Sequence, residues 1–153
     1  MEDYKKIYLG SDHAGFELKE KIKDFLESNE YNYEDIGSSK YAPGDDYPDY
    51  AVLVANKVSK TDDYGILVCA SGVGMCITAN KVKGIRAVNA YNVKIAQKSR
   101  EHNNTNILCL GQDYTDIETA KEIIKVWLAT DFSAAEKHHR RVSKISGFEN
   151  EMI

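Results

Sequence analysis

The sequence predicts an α/β fold in which a five-stranded parallel sheet lies between two layers of helices, a three-layer α/β/α sandwich. Short apolar segments alternate five times with segments whose apolar residues recur at helical spacing. Residues 66–70 are apolar on both faces, as a strand buried inside a parallel sheet requires. Because crossovers between parallel strands are right-handed, the helices cover both faces of the sheet, and the predicted arrangement is Rossmann-like.

Strands are predicted where short apolar runs are bounded by turn residues. In chain order they cover residues 7–11, 31–36, 66–70, 85–88 and 106–110. The spacing of Leu18, Ile22, Phe25 and Leu26 indicates the first helix, and the second begins near Pro48, since proline suits a first helical turn. Further helices are predicted from the glycine turn at 72–74 to about residue 84, over 92–103, over 115–128 and over about 134–146.

The fifth helix carries a start signal of its own. Thr115 is followed three residues later by Glu118, the spacing of a capping box, and a single apolar face follows. The sequence therefore predicts that Thr115 is the N-cap of this helix.

The composition excludes several classes of protein. Twenty Lys and Arg against 24 Asp and Glu leave a net charge of -4, which argues against a nucleic-acid or membrane-surface binder. Three scattered cysteines are too few for a disulfide framework, and Met1 is followed by acidic residues rather than by a secretory signal. We therefore expect a soluble, cytoplasmic protein, with one domain over residues 1–153 and no membrane span.

The strongest chemical signal is the segment from Cys69 to Met75, a glycine-rich turn at the end of the third strand. Closely spaced glycines let backbone amides turn inward, so the segment suits a phosphate, a carboxylate or a developing oxyanion. The same field favours the thiolate that base or nucleophile chemistry needs. The alternative is a small buried cysteine in a tight strand–helix turn, whereas Cys76 and Cys109 are predicted core residues. The residues after Gly74 match neither a P-loop nor a dinucleotide-binding fingerprint.

Charged residues in three other places could contribute chemistry. Asp12 and His13 follow the first strand, at the edge where parallel sheets bind ligands, although Asp12 could simply cap a helix. His102 ends the fourth helix, where an imidazolium is favoured, and a capping role is the alternative. Lys137 and Arg141 share one face of the final helix, which could equally be a solvated surface. The histidine and cysteine spacings do not suit a metal site.

Taken together, five stretches resemble the type B ribose-5-phosphate isomerases and their relatives, the sugar-phosphate isomerase family that includes the galactose-6-phosphate isomerase subunits. The matching stretches cover residues 10–15, 46–50, 65–87, 99–111 and 137–145, nearly the whole chain. The resemblance implies interconversion of ribose 5-phosphate and ribulose 5-phosphate through a cis-enediolate, as part of the pentose phosphate pathway. It implies no metal and no organic cofactor.

The resemblance also implies roles in catalysis. Cys69 falls at the position of the base, and Ser71 supplies a hydroxyl where threonine is more usual. His102 matches the residue that opens the furanose ring, assisted by Asp12. The enediolate oxygens would be held by backbone amides of the glycine turn, those from Ala70 through Gly72 to Gly74.

The implied substrate contacts lie elsewhere in the chain. Tyr47 and Asn103 match residues that contact the sugar, and His13 and Arg141 fall at phosphate-binding positions. Lys137 stands where the family generally has arginine, which keeps the charge but loses the bidentate fork. Asp113 also replaces an arginine of several members.

In such relatives the pocket combines the glycine turn of one subunit with residues on the His102 side and on the basic helix of its partner. The resemblance therefore implies a homodimer, or a tetramer of paired dimers, with shared active sites and with the final helix at a subunit interface. Three alternatives remain at this point: a non-catalytic sugar-phosphate-binding subunit, a flavodoxin-like module and an isomerase of six-carbon sugar phosphates.

Overall fold

A computed structural model of the chain describes residues 5–151. The strands are β1 (Ile7–Ser11), β2 (Tyr33–Gly37), β3 (Tyr64–Cys69), β4 (Ala87–Asn89) and β5 (Ile107–Gly111). The helices are α1 (Phe16–Ser28), α2 (Tyr47–Val58), α3 (Val73–Ala79), α4 (Val93–Asn103), α5 (Ile117–Ala129) and α6 (Glu136–Glu151), and a short 3-10 turn (His13–Gly15) precedes α1.

The strands form one parallel sheet in the order β2-β1-β3-β5-β4, which confirms the predicted α/β fold. One side chain in two along each strand points to the same face, so the sheet has two apolar faces. The first is covered by buried residues of α1, α4 and α5, and the second by those of α2 and α3. The chain reverses its strand order between β1 and β3. Open sheets of this kind bind ligands beyond the carboxyl ends of the strands at such a point.

The face under α5 is built around Trp127, which is completely buried. Its ring lies 4.9 Å from that of Tyr64, and its indole N–H donates to Oγ1 of Thr105 at 2.9 Å. A buried indole that lacked this acceptor would incur a desolvation penalty. On the other face, Cys109 is completely buried and Cys76 partly so, as predicted for core residues.

Three helix boundaries differ from the sequence prediction. The third helix, predicted to reach about residue 84, ends at Ala79, because the side chain of Asn80 binds the N–H and the carbonyl of Ala87 in β4 instead of facing solvent from a further helical turn. Asp116 rather than Thr115 is the N-cap of α5, because its carboxylate accepts the N–H of Thr119 at 2.8 Å. The predicted capping box is therefore wrong by one residue. The last helix also extends beyond the predicted end to Glu151, and Glu149 in its added turn accepts the N–H of Gly84 at 3.1 Å. No helix within residues 5–151 is long and apolar enough to cross a membrane.

Candidate active site

The carboxyl ends of β1 and β3 meet at the point where the strand order reverses. A side-chain carbon at Gly15 would lie 2.3 Å from the carbonyl oxygen of Val68, so only glycine lets the turn after β1 approach β3 this closely. Asp12 and Cys69, the residues that follow β1 and end β3, are thereby brought to the same edge of the sheet. We refer to residues 12–13, 45–47, 69–74, 89 and 91 as the carboxyl-edge cluster.

The glycine turn holds the sulfur of Cys69 beside backbone N–H groups. The N–H of Gly72 donates to Sγ of Cys69 at 3.2 Å, and the N–H of Val73 donates to the hydroxyl of Ser71 at 3.2 Å. Gly72 has a φ of 82°, a conformation that favours glycine. Cys69 itself is only 4% exposed. An N–H directed at sulfur stabilises a thiolate more than a thiol, since hydrogen bonds to charged groups are the stronger ones.

Asp12 caps the short turn after β1, as the alternative interpretation of this residue predicted. Its carboxylate accepts the N–H of Gly15 at 3.0 Å, and the side chain is buried. Burial raises the pKa of Asp12, and the hydrogen bond from Gly15 offsets only part of this rise. An oxygen of this carboxyl group also lies within 4.8 Å of a ring nitrogen of His13 and a carboxylate oxygen of Asp45, so capping leaves the group close to other polar side chains of the carboxyl edge.

His13 has a partner that the sequence did not indicate. Oδ1 of Asp45 accepts the backbone N–H of His13 at 2.9 Å and lies 2.7 Å from Nδ1 of its ring. The hydrogen bond to Asp45 raises the pKa of His13. Burial of Asp45 opposes its ionisation, but the hydrogen bonds from His13 outweigh burial, so the pKa of Asp45 is lowered. The pair therefore favours an imidazolium beside a carboxylate.

Tyr47 begins α2 and covers the first turn of α3. A side-chain carbon at Gly74 would lie 2.6 Å from two atoms of the Tyr47 ring, so the absence of a side chain at Gly74 makes room for the ring. Tyr47 remains partly exposed. The ring therefore covers the end of the glycine turn next to Cys69 and keeps one side toward solvent.

The remaining predicted site residues lie together at a different place, where α4 ends and α6 begins. The rings of His102 and His138 are stacked with centroids 4.3 Å apart. Burial lowers the pKa of His138, and the positive groups of His102, Lys137 and Arg141 lower it further. These surroundings favour the neutral form of the His138 ring, a feature that its position in a basic run did not reveal. We refer to residues 102–103, 137–138 and 141 as the amino-edge cluster.

The two clusters lie at opposite ends of the strands. Cys69 pairs with Gly111, the last residue of β5, whereas α4 ends at Asn103, just before β5 begins at Ile107. Four residues of strand span about 13 Å. One chain therefore brings Asp12, His13, Tyr47 and the glycine turn together, but it holds His102, Asn103, Lys137 and Arg141 at the other edge of its sheet.

The model of the Ribose/Galactose Isomerase family matches residues 7–145 of this chain. The chain belongs to this family. The isomerase is 42% identical over 149 residues to the putative sugar phosphate isomerase YwlF of Bacillus subtilis, covering 97% of this chain and 99% of that protein. It is 37% identical over 147 residues to D-erythrulose-4-phosphate isomerase 2 of Mycolicibacterium smegmatis, covering 94% and 97%.

The structural similarity is equally extensive. The crystal structure of ribose-5-phosphate isomerase B from Mycoplasma genitalium, with bound ribulose-5-phosphate, matches with a TM-score of 0.92 and 40% identity. The match covers 95% of this chain and 97% of that one. The chain is therefore an enzyme of the isomerase class rather than a flavodoxin-like module.

Proposed function

We propose that this isomerase interconverts D-ribose 5-phosphate and D-ribulose 5-phosphate through a cis-enediolate, without a metal or organic cofactor. The observation that carries the proposal is the Gly72 N–H, which donates to Sγ of Cys69 at the carboxyl edge of the sheet. Aldose–ketose isomerisation needs a base beside donors that face a growing oxyanion, and this turn supplies both. The solved relative with bound ribulose-5-phosphate supports the choice of substrate.

Cys69 is the proposed base. Its thiolate removes the proton from C2 of the open-chain aldose, the electron pair forms a C1–C2 double bond, and O1 receives the negative charge. After a proton moves from O2 to O1, a role suited to the hydroxyl of Ser71, the thiol returns its proton to C1 and the C2 carbonyl forms. Acid–base catalysis by a positioned group contributes about 10²- to 10⁴-fold.

Backbone amides are the proposed stabilisers of the enediolate. Those of Ala70, Gly72 and Gly74 belong to the turn that holds Cys69. The Gly72 N–H donates to the sulfur before the reaction, and it can turn to an enediolate oxygen once the thiolate has taken its proton. A single well-placed donor of this kind can lower the barrier by about 3 kcal/mol. The buried position of Cys69 excludes water and strengthens such interactions.

Ring opening and phosphate binding are assigned to the other polar side chains. We assign the opening of the furanose ring to His102 with Asp12, and sugar contacts to Asn103 and Tyr47. His13, kept positive by Asp45, would bind the phosphate together with Arg141 and Lys137. Because Lys137 is a point charge, the bidentate contact falls to Arg141.

These assignments require two copies of the chain. His102 and Arg141 lie at the opposite edge of the sheet from Cys69, so one complete site needs the carboxyl-edge cluster of one copy and the amino-edge cluster of another. Val73 and Ile77 are large apolar residues exposed beside the glycine turn, a surface suited to burial by a second copy. We therefore propose a homodimer, or a tetramer of dimers, of single-domain chains with α6 at the interface.

A coupled assay with a metal chelator present tests the activity. Turnover of ribose 5-phosphate is expected from the wild type, and Cys69→Ala should lower kcat by about 10²- to 10⁴-fold while calorimetry still detects binding of the sugar phosphate. The matched control is Cys76→Ala, which removes a thiol in α3, seven residues after Cys69, and should stay near wild-type activity. Near-wild-type turnover by Cys69→Ala would remove the proposed base.

The same assay decides between sugar lengths. A relative at 37% identity is named an erythrulose 4-phosphate isomerase, and the family description includes galactose, so four- and six-carbon phosphates are the specific rivals. We expect the highest kcat/KM for the pentose. A higher value for a tetrose or hexose phosphate would change the substrate while leaving the roles of the residues intact.

A further inference from the structure

The peptide group between Ser71 and Gly72 is bound by two side chains on the side opposite Cys69. Its carbonyl oxygen accepts two hydrogen bonds, from the hydroxyl of Tyr91 at 2.7 Å and from Nδ2 of Asn89 at 3.3 Å. Its N–H, which points the opposite way in a trans peptide, donates to Sγ of Cys69 at 3.2 Å. One rigid plane therefore connects Tyr91 and Asn89 to the sulfur.

The backbone by itself does not determine which way this peptide faces. Turning the plane over changes ψ of Ser71 and φ of Gly72 together, and glycine adopts positive and negative φ about equally readily. The observed φ of 82° is one of these two choices. If the plane turned over, the carbonyl oxygen would face Cys69 and repel a thiolate. The choice between the two orientations therefore depends on what binds the carbonyl.

The groups that bind the carbonyl form a closed network. Nδ2 of Asn89 also donates to the hydroxyl of Tyr91 at 3.1 Å, so that hydroxyl accepts one hydrogen bond and donates another to Ser71. Gly111 leaves room for the arrangement, because a side-chain carbon there would lie 2.5 Å from the Ser71 carbonyl oxygen. Strand β4 and the residues after it thus present both donors to the turn.

We propose that Tyr91 and Asn89 are positioning residues that keep the Ser71–Gly72 N–H directed at Cys69 and thereby stabilise its thiolate. The inference rests on the proposed function, in which Cys69 is the base. Neither side chain needs to touch the sugar. Their effect reaches the reaction through the peptide plane, so it is greatest at a pH where Cys69 must lose its proton to become active.

The experiment uses the full-length protein and the variants Tyr91→Phe, Asn89→Ala and the double variant. Alkylation of Cys69 by iodoacetamide is followed across pH, with the modified residue identified by fragmentation mass spectrometry. At pH 7 each single variant should react about 3- to 10-fold more slowly, the double variant more slowly still, and all should recover at high pH. The pKa on the acid side of the kcat–pH profile should rise in parallel, and KM should change less than about twofold.

Tyr31→Phe is the matched control, since it removes a phenol hydroxyl from a ring that packs on Phe25. Tyr31 precedes β2, at the amino end of the strands, whereas the turn follows the carboxyl end of β3. It should leave alkylation and kcat unchanged. Unaltered alkylation in Tyr91→Phe, which keeps the ring and therefore the fold, overturns the inference even when Cys69→Ala is inactive. Conversely, an active Cys69→Ala refutes the assigned base. Slower alkylation in Tyr91→Phe and Asn89→Ala would still demonstrate that these side chains orient the Ser71–Gly72 peptide.

Discussion

Nδ1 of His13 and Oδ1 of Asp45 are 2.7 Å apart, and the same carboxylate oxygen accepts the backbone N–H of His13. The residues are 32 positions apart in the chain. With Nδ1 and the backbone both bound by one oxygen, the ring orientation is set and Nε2 is the nitrogen left to meet a ligand. An imidazolium fixed in this way is suited to a phosphate group.

Replacing Asp45 by asparagine should make His13 an ordinary histidine. The hydrogen bond to Asp45 raises the pKa of His13. In the Asp45→Asn variant the imidazole of His13 should therefore titrate at a lower pH and be largely neutral at pH 7.5. NMR titration of the imidazole measures the pKa directly. KM for a sugar phosphate should rise several-fold at pH 7.5 and less at pH 6. Asp46→Asn, one residue away, is the control, and an unmoved His13 titration would contradict the assigned pairing.

Lys19 is an unusual member of the core because its side chain is 0% exposed. Its ammonium lies 2.5 Å from Asp35 and donates to the carbonyl of Ser38 at 2.8 Å. Burial tends to raise the pKa of Asp35, but hydrogen bonds from Lys19 and Lys23 outweigh burial and lower it. The pair joins α1 to the end of β2.

Removing the carboxylate should destabilise the protein and weaken its response to acid. In Asp35→Asn the Lys19 charge loses its main partner, and the free energy of unfolding should fall by about 3 kcal/mol at pH 7. A lowered pKa in the folded state adds stability above the ordinary aspartate range, near pH 4, and that stability is lost as pH falls through the lowered value. Urea unfolding at several pH values should therefore show a smaller acid loss in the variant. Equal acid losses would mean that the pair carries no such linkage.

Two glycine substitutions should change the free energy of unfolding in opposite directions. A side-chain carbon at Gly15 would meet the backbone of Val68 at 2.3 Å, so Gly15→Ala should cost about 2 kcal/mol or more. Gly147, an exposed residue of α6, has no atom within 4 Å of such a carbon, and Gly147→Ala should add up to about 1 kcal/mol through helix propensity. Denaturant unfolding compares the two, and a stable Gly15→Ala would refute the close approach of the β1 turn to β3.

Much of the fold could be predicted from local patterns, because parallel strands and amphipathic helices have distinct periodicities. The predicted strand over residues 66–70 and the glycine turn after it already indicated that Cys69 lies at the ligand-binding edge of the sheet. The N-cap of α5 was missed by one residue, since Thr115 and Asp116 are both good caps and only the fold decides which one turns toward the helix. The last turn of α6 was missed because its support, Glu149 on Gly84, is a tertiary contact.

The site was predicted only where one segment carries its own chemistry. The glycine turn does so, whereas Asp45, Asn89, Tyr91 and His138 act through partners distant in the chain. Nothing in the residues around Asp45 distinguishes it from Asp46, its neighbour. The family resemblance already implies a pocket shared between subunits, and the structure adds the physical reason for it. One chain holds the two clusters at opposite edges of its sheet, because α4 ends near the start of β5 whereas Cys69 ends β3.

This division gives the sharpest test of the shared site. Cys69→Ala and His102→Asn should each be inactive as homo-oligomers. Co-expressed with different affinity tags and purified through both, the mixed dimer has one site that combines the intact Cys69 of one chain with the intact His102 of the other, and one site that lacks both. Its activity should be about half that of the wild-type dimer. Two differently tagged Cys69→Ala chains, treated identically, should remain inactive. If the mixed dimer were as inactive as its parents, His102 would have to act on the Cys69 of its own chain. The ends of β3 and α4 lie at opposite edges of the sheet and do not allow this, so the assignment of His102 to the reaction would be wrong.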